Sequence, residues 1–320
     1  MKTPLPAEAG PLPPVVVIVG ATAVGKTSLA VRLADWVGGE IVSADSRQIY
    51  RGMDVGTAKA TAAERERVPH HLIDVVDPDQ TLTLAQFQRR AYAAFDDILG
   101  RGRIPFLVGG TGQYVMAVVE GWRVPRVLPD EALRRALYRQ AQEEGVAALH
   151  DRLRALDPRA AARIDARNVR RVVRALEVCL TTGQTMSALQ TKTPPSYRFL
   201  LLGLALPRPQ LYECIDARID GMIAAGLEAE VRGLVDAGYG FDLPAMSGVG
   251  YGQFEAYLAG ATTLEEVVAQ IKRATRRFVR HQANWFRSGD PRIHWLDAGN
   301  DALPRALEII ERFLGAEGGA

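Results

Sequence analysis

The sequence predicts an α/β protein: a phosphate-loop, three-layer core built on a parallel sheet, with an all-helical subdomain inserted into it. Three observations predict this. A glycine loop lies between a buried-strand run and a helix. Short apolar strands alternate with helical segments on both sides of it. One central, arginine-rich stretch shows helix after helix and no strand. These features divide the chain into a proline-rich, flexible lead-in over residues 1–14, a core over 15–121 and 198–315, and a helical insertion over 122–197.

The first element is the strand Val15-Val16-Val17-Ile18-Val19, followed by Gly20-Ala21-Thr22-Ala23-Val24-Gly25-Lys26-Thr27 and the helical run Ser28–Ala34. In that context the pattern G-x-x-x-x-G-K-[ST] is a phosphate-binding loop. Gly20 and Gly25 permit backbone angles and close approach that a Cβ forbids. The loop amides and the helix N-terminus face an anion together. Lys26 adds a point charge, and the Thr27 hydroxyl can hold a Mg²⁺ that bridges phosphate oxygens. The loop specifies an oligophosphate, ATP and other nucleotides included, without saying which one.

Glu40–Ala44 reads as a second buried strand, ending at Asp45-Ser46-Arg47-Gln48-Ile49-Tyr50. Ligands of open parallel sheets sit beyond the carboxyl ends of the strands. Asp45 is therefore expected at the same edge as the phosphate loop, the first pointer to it as chemistry. His70-His71 lacks a third ligand at metal-site spacing and is read as structural. Thr83–Leu99 is a helix with Leu84, Phe87, Tyr92, Phe95 and Ile98 as its apolar positions. The strand Arg103–Val108 closes in Gly109-Gly110-Thr111-Gly112. Many nucleotide hydrolases with this loop end a strand in an acidic Mg²⁺ ligand. Here the strand ends in glycines and Ile73-Asp74 is too short a signal, which argues against ordinary ATP hydrolysis.

From Arg123 to Arg174 there are thirteen arginines against seven acidic residues, although the whole chain is only +2. A polyanion is the natural partner of such a concentration. On the helix Asn168–Leu180, Arg167, Arg170, Arg171 and Arg174 share one arc opposite Val169, Val173, Leu176 and Leu180. A solvated charged face and an RNA face both fit this stripe. The strand Phe199–Leu206 rejoins the sheet, and Leu211–Ala225 is a helix with Arg218 beside Asp216 and Asp220. In the long helix Leu264–Arg287, Leu264, Val267, Val268, Ile271, Phe278, Trp285 and Phe286 form the apolar arc. Lys272, Arg273, Arg276, Arg277, Arg280 and Arg287 make a second basic stripe. The 48% apolar content suits a sizeable core, no run spans a bilayer, and no secretory leader is expected. Cys179 and Cys214, the two cysteines, read as core filler in a reducing compartment; the cytoplasm is the expected location.

Several stretches together resemble the tRNA dimethylallyltransferases, bacterial in type. They are Gly20–Thr27, Ser43–Lys59, Pro69–Asp74, Gly109–Gly112, Arg170–Glu177 and Arg280–Arg287, within a likeness running from about Val15 to Leu296. The Asp45–Lys59 block is far more specific than the phosphate loop. The resemblance implies transfer of a dimethylallyl group from dimethylallyl diphosphate to N6 of the adenosine adjacent to the tRNA anticodon. It implies catalytic roles for Asp45 as general base, Thr27 with Mg²⁺, and Arg218 as a further cation. It places Gly20–Thr27 on the diphosphate, and Asp45, Ser46, Arg47, Gln48, Thr111, Asn168, Val169, Arg170, Arg171 and Val172 on the tRNA anticodon stem-loop. A monomer acting away from membranes is expected.

The chain departs from the family pattern at Val24, at Gln113, and at Gly252, where a usual Lys or Arg is replaced. No Cys/His zinc pattern follows Trp285. The rival readings are an adenylate isopentenyltransferase acting on free AMP or ATP, a phosphate-loop nucleotide kinase or NTPase, and an RNA-binding module with a relic phosphate loop. The helical insertion and arginine stripes favour an RNA acceptor. The relic-loop reading leaves the placement of Asp45, Thr27 and Lys26 unexplained.

Overall fold

The computed structural model describes residues 12–125, 127–299 and 302–315. The lead-in expected over residues 1–14 lies largely outside the described residues. Its end does not: the first strand begins at Pro14, and Pro13 O accepts a hydrogen bond from the Arg198 backbone N–H. Two compact units are present, one made of the stretches up to Val119 and from Ser196 onward, the other of Glu120–Pro195.

In chain order the first unit contains β1 (Pro14–Gly20), α1 (Lys26–Val37), β2 (Gly39–Ser43), α2 (Ala62–Arg67), β3 (His70–His71), α3 (Leu84–Gly100), β4 (Ile104–Val108) and α4 (Gly112–Val119). The second unit holds α5 (Glu131–Glu143), α6 (Val146–Leu156), α7 (Pro158–Ala161), α8 (Val169–Thr182) and α9 (Met186–Leu189). The first then resumes with β5 (Arg198–Ala205), α10 (Arg208–Ala224), α11 (Leu227–Asp236), α12 (Phe254–Leu258), α13 (Leu264–Gln282), β6 (Ile293–Asp297) and α14 (Ala302–Gly315).

The strands form one parallel sheet in the order β3-β2-β4-β1-β5-β6. Alternate residues of a strand face opposite sides, yet Val15 to Val19 are all 0% exposed, so both faces of the sheet are covered. Helices α1 and α14 pack together, and α3 packs with α4. Thr83 starts α3 with a capping box to Gln86, and Thr263 starts α13 the same way with Glu266. Because all strands are parallel, the segments leaving β1, β2 and β4 gather at one edge.

Two buried carboxylates organise the units. In the first, Glu40 of β2 is 2% exposed and takes hydrogen bonds from Arg101 and His71. This is the structural role expected for His71; His70 instead contacts Val68 O. In the second, Glu177 of α8 is fully buried and binds Arg134, Arg174 and the Asp130 N–H. Burial alone would raise the Glu177 carboxyl, but these hydrogen bonds hold it below its ordinary value. The acidic partner of the arginine stripe therefore comes from inside the same helix. Arg174 is tied to Glu177 and to Val127 O, so it is not the free surface cation that the helical wheel suggested. Leu137, Leu149, Leu153, Val172, Val173 and Leu176 make this unit's core. Leu180 is 40% exposed despite its place on the apolar arc. Cys179 is buried but Cys214 is exposed, so only the first is core filler.

Glu40 makes the fold's pH dependence testable. The Arg101 hydrogen bond is the largest influence and His71 adds to it; against the effect of burial they lower the carboxyl from 4.5 to about 2. A folded value below the unfolded one stabilises fully above pH 4.5, and the gain is lost as pH falls toward 2. Glu40→Gln should cost about 3 kcal/mol in urea unfolding at pH 7. The gap should narrow at pH 3; an equal gap at both pH values would assign the loss to packing instead of charge.

Candidate active site

Beyond the end of β1 the chain enters the phosphate loop. Three of its residues have positive φ: Gly20 at 144°, Ala23 at 64° and Gly25 at 94°, the last closing into α1. Gly20 also has no room for a side chain, since a Cβ would lie 2.5 Å from Leu204 O of β5. Val24 is 3% exposed and packs into the core, which accounts for an apolar residue in this loop. Thr27 sits in the first turn of α1, and its hydroxyl makes no hydrogen bond among the described residues.

Beyond β2, Asp45 Oδ1 accepts the Arg47 backbone N–H at 2.8 Å, which fixes the carboxylate over its own turn. Beyond β4, Gly109 passes so close to β2 that a Cβ would be 2.2 Å from Ala44 O. That approach brings Thr111 Oγ1 within 3.0 Å of the Ser46 N–H, which it accepts. A fourth piece, α10, supplies Arg218. Its sequence neighbours Asp216 and Asp220 point away from it: Asp216 pairs with Arg276 and Asp220 with Lys272, both on α13. Arg218 is left without an ion pair among the described residues.

These elements enclose a cavity of about 270 Å³. Lys26, Arg218, Thr22 and Ala23 line one part; Asp45, Ser46, Arg47 and Thr111 line another. Ile215, Ile219 and Met222 of α10, with Ile271 and Phe278 of α13, give it an apolar wall. Phe278, assigned from the sequence to the helix's core face, is 43% exposed and turned to this cavity instead. Burial lowers the Lys26 ammonium from 10.5 to about 8; Arg218 adds to the lowering and Asp45 opposes it. Burial also lowers Arg218, again opposed by Asp45. Two cations crowded beside one carboxylate form a site short of negative charge, which an oligophosphate supplies.

Several expected site residues have their side chains engaged within the protein. The Gln48 amide accepts from Ser43 Oγ and donates to Thr57 O and Ala58 O, so it braces its own loop and does not line the cavity. Arg47 donates to Pro244 O and Ala245 O, which latches the 244–253 loop to the cavity wall. In the second unit, Asn168 caps α8 by accepting the Arg171 N–H, and Val169 packs partly buried against that unit's core. Val172 is 1% exposed, its side chain turned into the core of that unit. Arg170 and Arg171 are exposed. On α13, Lys272 and Arg276 are likewise spent on α10. Asp74, the weak candidate for an acidic strand end, is bound by Lys59 and Arg65 and is absent from the cavity lining.

Sequence reasoning missed three contributors. Glu230 accepts the N–H groups of Asp54, Val55 and Gly56 and the Tyr251 hydroxyl, and so shapes the wall at Gly56. Gln282, the last residue of α13, accepts the Thr22 N–H and donates to Gly110 O. The apolar wall was the third. A signal existed only for Gln282, which lies within the family-like stretch Arg280–Arg287.

Fold and site together define a phosphate-loop protein whose anion cavity carries a carboxylate and an apolar wall. Comparison with known proteins narrows this class. A family model described as IPP transferase matches residues 48–289, and one described as isopentenyl transferase matches residues 13–75. A curated tRNA dimethylallyltransferase from Roseiflexus sp. (strain RS-1) is 53% identical over 304 residues, covering 95% of this chain and 99% of its own. The crystal structure of a tRNA isopentenylpyrophosphate transferase from Bacillus halodurans is 41% identical, with a TM-score of 0.68 and coverage of 95% and 96%. A eukaryotic dimethylallyltransferase captured acting on tRNA is 27% identical, with a TM-score of 0.80, covering 95% of this chain and 80% of that one. The chain belongs to the IPP transferase family, that of the tRNA dimethylallyltransferases, and is a prenyltransferase-type enzyme.

The lowered Lys26 value gives a direct test of the anion site. Lys26 carries its charge below about pH 8 and loses it above. Calorimetry with inorganic diphosphate should show the affinity ratio of wild type to Lys26→Met shrinking as pH rises from 7 to 9.5. A ratio constant across that range would remove Lys26 from the anion site.

Proposed function

We propose that this chain transfers a dimethylallyl group from dimethylallyl diphosphate to the exocyclic N6 of the adenosine adjacent to the tRNA anticodon, releasing diphosphate. The observation that carries the reading is the convergence of Lys26, Arg218 and Asp45 on one cavity with an apolar wall. An adenine amine is a weak nucleophile because its lone pair is delocalised into the ring. As the bond from N6 to the prenyl C1 forms and the C1–O bond breaks, Asp45 takes the N6 proton. The departing diphosphate gathers negative charge between Lys26, Arg218 and the amides of the 20–27 loop. Ile215, Ile219, Met222 and Phe278 offer the five-carbon tail a dry surface.

The residues present suit a Mg²⁺ ion. Mg²⁺ keeps several waters and takes few protein ligands beside substrate phosphates, and the uncommitted Thr27 hydroxyl at the start of α1 meets that need. When bound, the ion would neutralise diphosphate charge. No group of three or more His, Cys, Asp or Glu residues able to hold a metal occurs among the described residues. A kinase or NTPase reading lacks a cavity carboxylate at the end of β4, which runs into Gly109. In this reading the acting form is a monomer. No helix among the described residues is long and apolar enough to cross a membrane. With tRNA as acceptor, the reaction is cytoplasmic.

The deciding experiment is single-turnover transfer from radiolabelled dimethylallyl diphosphate, with unmodified tRNA and with AMP as acceptors. Label should enter tRNA alone; label in AMP would favour the adenylate-prenylating reading. In the same assay at saturating substrates, Asp45→Asn should be slower by about 10² to 10⁴. A variant within a few-fold of wild type would make Asp45 an orienting residue.

The RNA faces can be separated from the structural arginines. Arg170, Arg171, Arg273, Arg277 and Arg280 are exposed and carry no ion pair among the described residues. Each one replaced by alanine should reduce the salt slope of tRNA binding by roughly 0.7 to 0.9. Arg174→Ala and Arg276→Ala should chiefly lower the melting temperature, because the first removes one of the partners of buried Glu177 and the second removes the ion partner of Asp216. Unchanged slopes for the exposed set would return those arginines to a solvated surface.

A further inference from the structure

We propose that Gln282 is a positioning residue for the transfer reaction, a clamp that holds the diphosphate side of the cavity at a fixed distance from the Asp45 side. The inference rests on the function proposed above. Gln282 is 5% exposed and has both ends of its amide engaged. Its Oε1 accepts the Thr22 N–H of the phosphate loop at 2.9 Å, and its Nε2 donates to Gly110 O at 3.0 Å. From Gly110 the linkage continues without a gap. Thr111 is the next residue, its Oγ1 accepts the Ser46 N–H, and Ser46 adjoins Asp45. One side chain thus joins the loop that carries Lys26 to the turn that carries Asp45.

The fit around the amide is close on the Gly110 side. A Cβ on Gly110 would lie 2.3 Å from Gln282 Nε2, so the clamp occupies the space a side chain would need. The Thr22 N–H is engaged in this contact, which leaves the other loop amides for the anion. In-line displacement needs N6, C1 and the leaving oxygen aligned. A misplacement of about 1 Å between the two sides is enough to lose about 10² in rate.

Only a side chain that accepts at one end and donates at the other closes the clamp, and this separates positioning from mere packing. Gln282→Glu keeps the acceptor for Thr22 N–H but, when ionised, cannot donate to Gly110 O. When protonated, the introduced carboxyl donates again. Gln282→Leu keeps volume and loses both bonds at every pH. Gly110→Ala pushes the amide aside from the opposite direction.

The experiment measures single-turnover transfer to tRNA at saturating substrates between pH 5.5 and 8, with the full chain throughout. Each variant is normalised to wild type, so that pH effects common to all the proteins cancel. Gln282→Glu should be about 10²-fold slow at pH 7.5 and recover at least tenfold relative to wild type by pH 5.5. Gln282→Leu and Gly110→Ala should be comparably slow with flat ratios, while tRNA affinity stays within threefold of wild type. A flat ratio for Gln282→Glu, or rates within threefold of wild type in all three variants, overturns the proposal. Should Gln282→Leu not fold, the pH-dependent recovery of Gln282→Glu decides alone. Calorimetry with Mg²⁺ and inorganic diphosphate keeps the two readings apart. A wild type that transfers nothing to tRNA sinks the proposed function, whereas a loss of diphosphate affinity in the variants as large as their loss of rate counts against the clamp, because lost binding would then account for the slow transfer.

Discussion

The first unit depends on keeping two cations, Lys26 and Arg218, beside each other at one cavity with no ion pair to either among the described residues. Like charges in a partly desolvated site repel strongly, and that repulsion is stored until an anion relieves it. The fold holds them by separate means. Lys26 sits at the start of α1, where its Nζ donates to Ala21 O at 2.7 Å. Arg218 stays uncommitted because α13 draws the neighbouring acids Asp216 and Asp220 to Arg276 and Lys272. Basic residues that look like an RNA stripe along one helix thus keep a different arginine available at the anion site.

The segment that carries Asp45 and Gly56 is held by a dense set of hydrogen bonds, many of them to backbone groups. Glu230 gathers three successive N–H groups at Asp54, Val55 and Gly56, and Lys59, almost fully buried, joins Asp54, Asp74 and Tyr50 O. Arg47 and Gln48 spend their side chains on carbonyls in the same region. A segment with little regular secondary structure between β2 and β3 is thereby fixed well enough to present Asp45. Buried backbone groups left unpaired would cost stability, so this dense pairing is what lets an irregular segment line a reaction site.

The helical unit follows a similar logic. Glu177 fills the centre of a three-cornered network with Arg134, Arg174 and the Asp130 amide, and Asp157 caps α7 while bonding Ser187. Part of the arginine density in this unit neutralises the buried Glu177, part pairs with the exposed Asp151 and Asp165, and part, at Arg170 and Arg171, carries no ion pair among the described residues. Composition counts all of these together.

The sequence by itself determined the features whose cause is local. The phosphate loop is legible because glycine torsions, a preceding strand and a following helix are consecutive. The strands ending at Ser43 and Val108 are legible because short apolar runs are. Asp45 could be placed near the loop because parallel strands deliver their carboxyl ends to one edge, a rule of topology that needs no coordinates. Tertiary structure alone decided which charges are spent and which are free. Arg174, Lys272 and Arg276 differ from Arg170 and Arg280 only through partners on other turns or other helices. Phe278 left the core face because a wheel shows an arc without showing what lies against it. Gln282 meets a residue 260 positions earlier in the chain and another 172 positions earlier. A hydrogen bond between residues so distant leaves no period or spacing in the sequence, because the contact exists only once the sheet has brought β1, β4 and the end of α13 together.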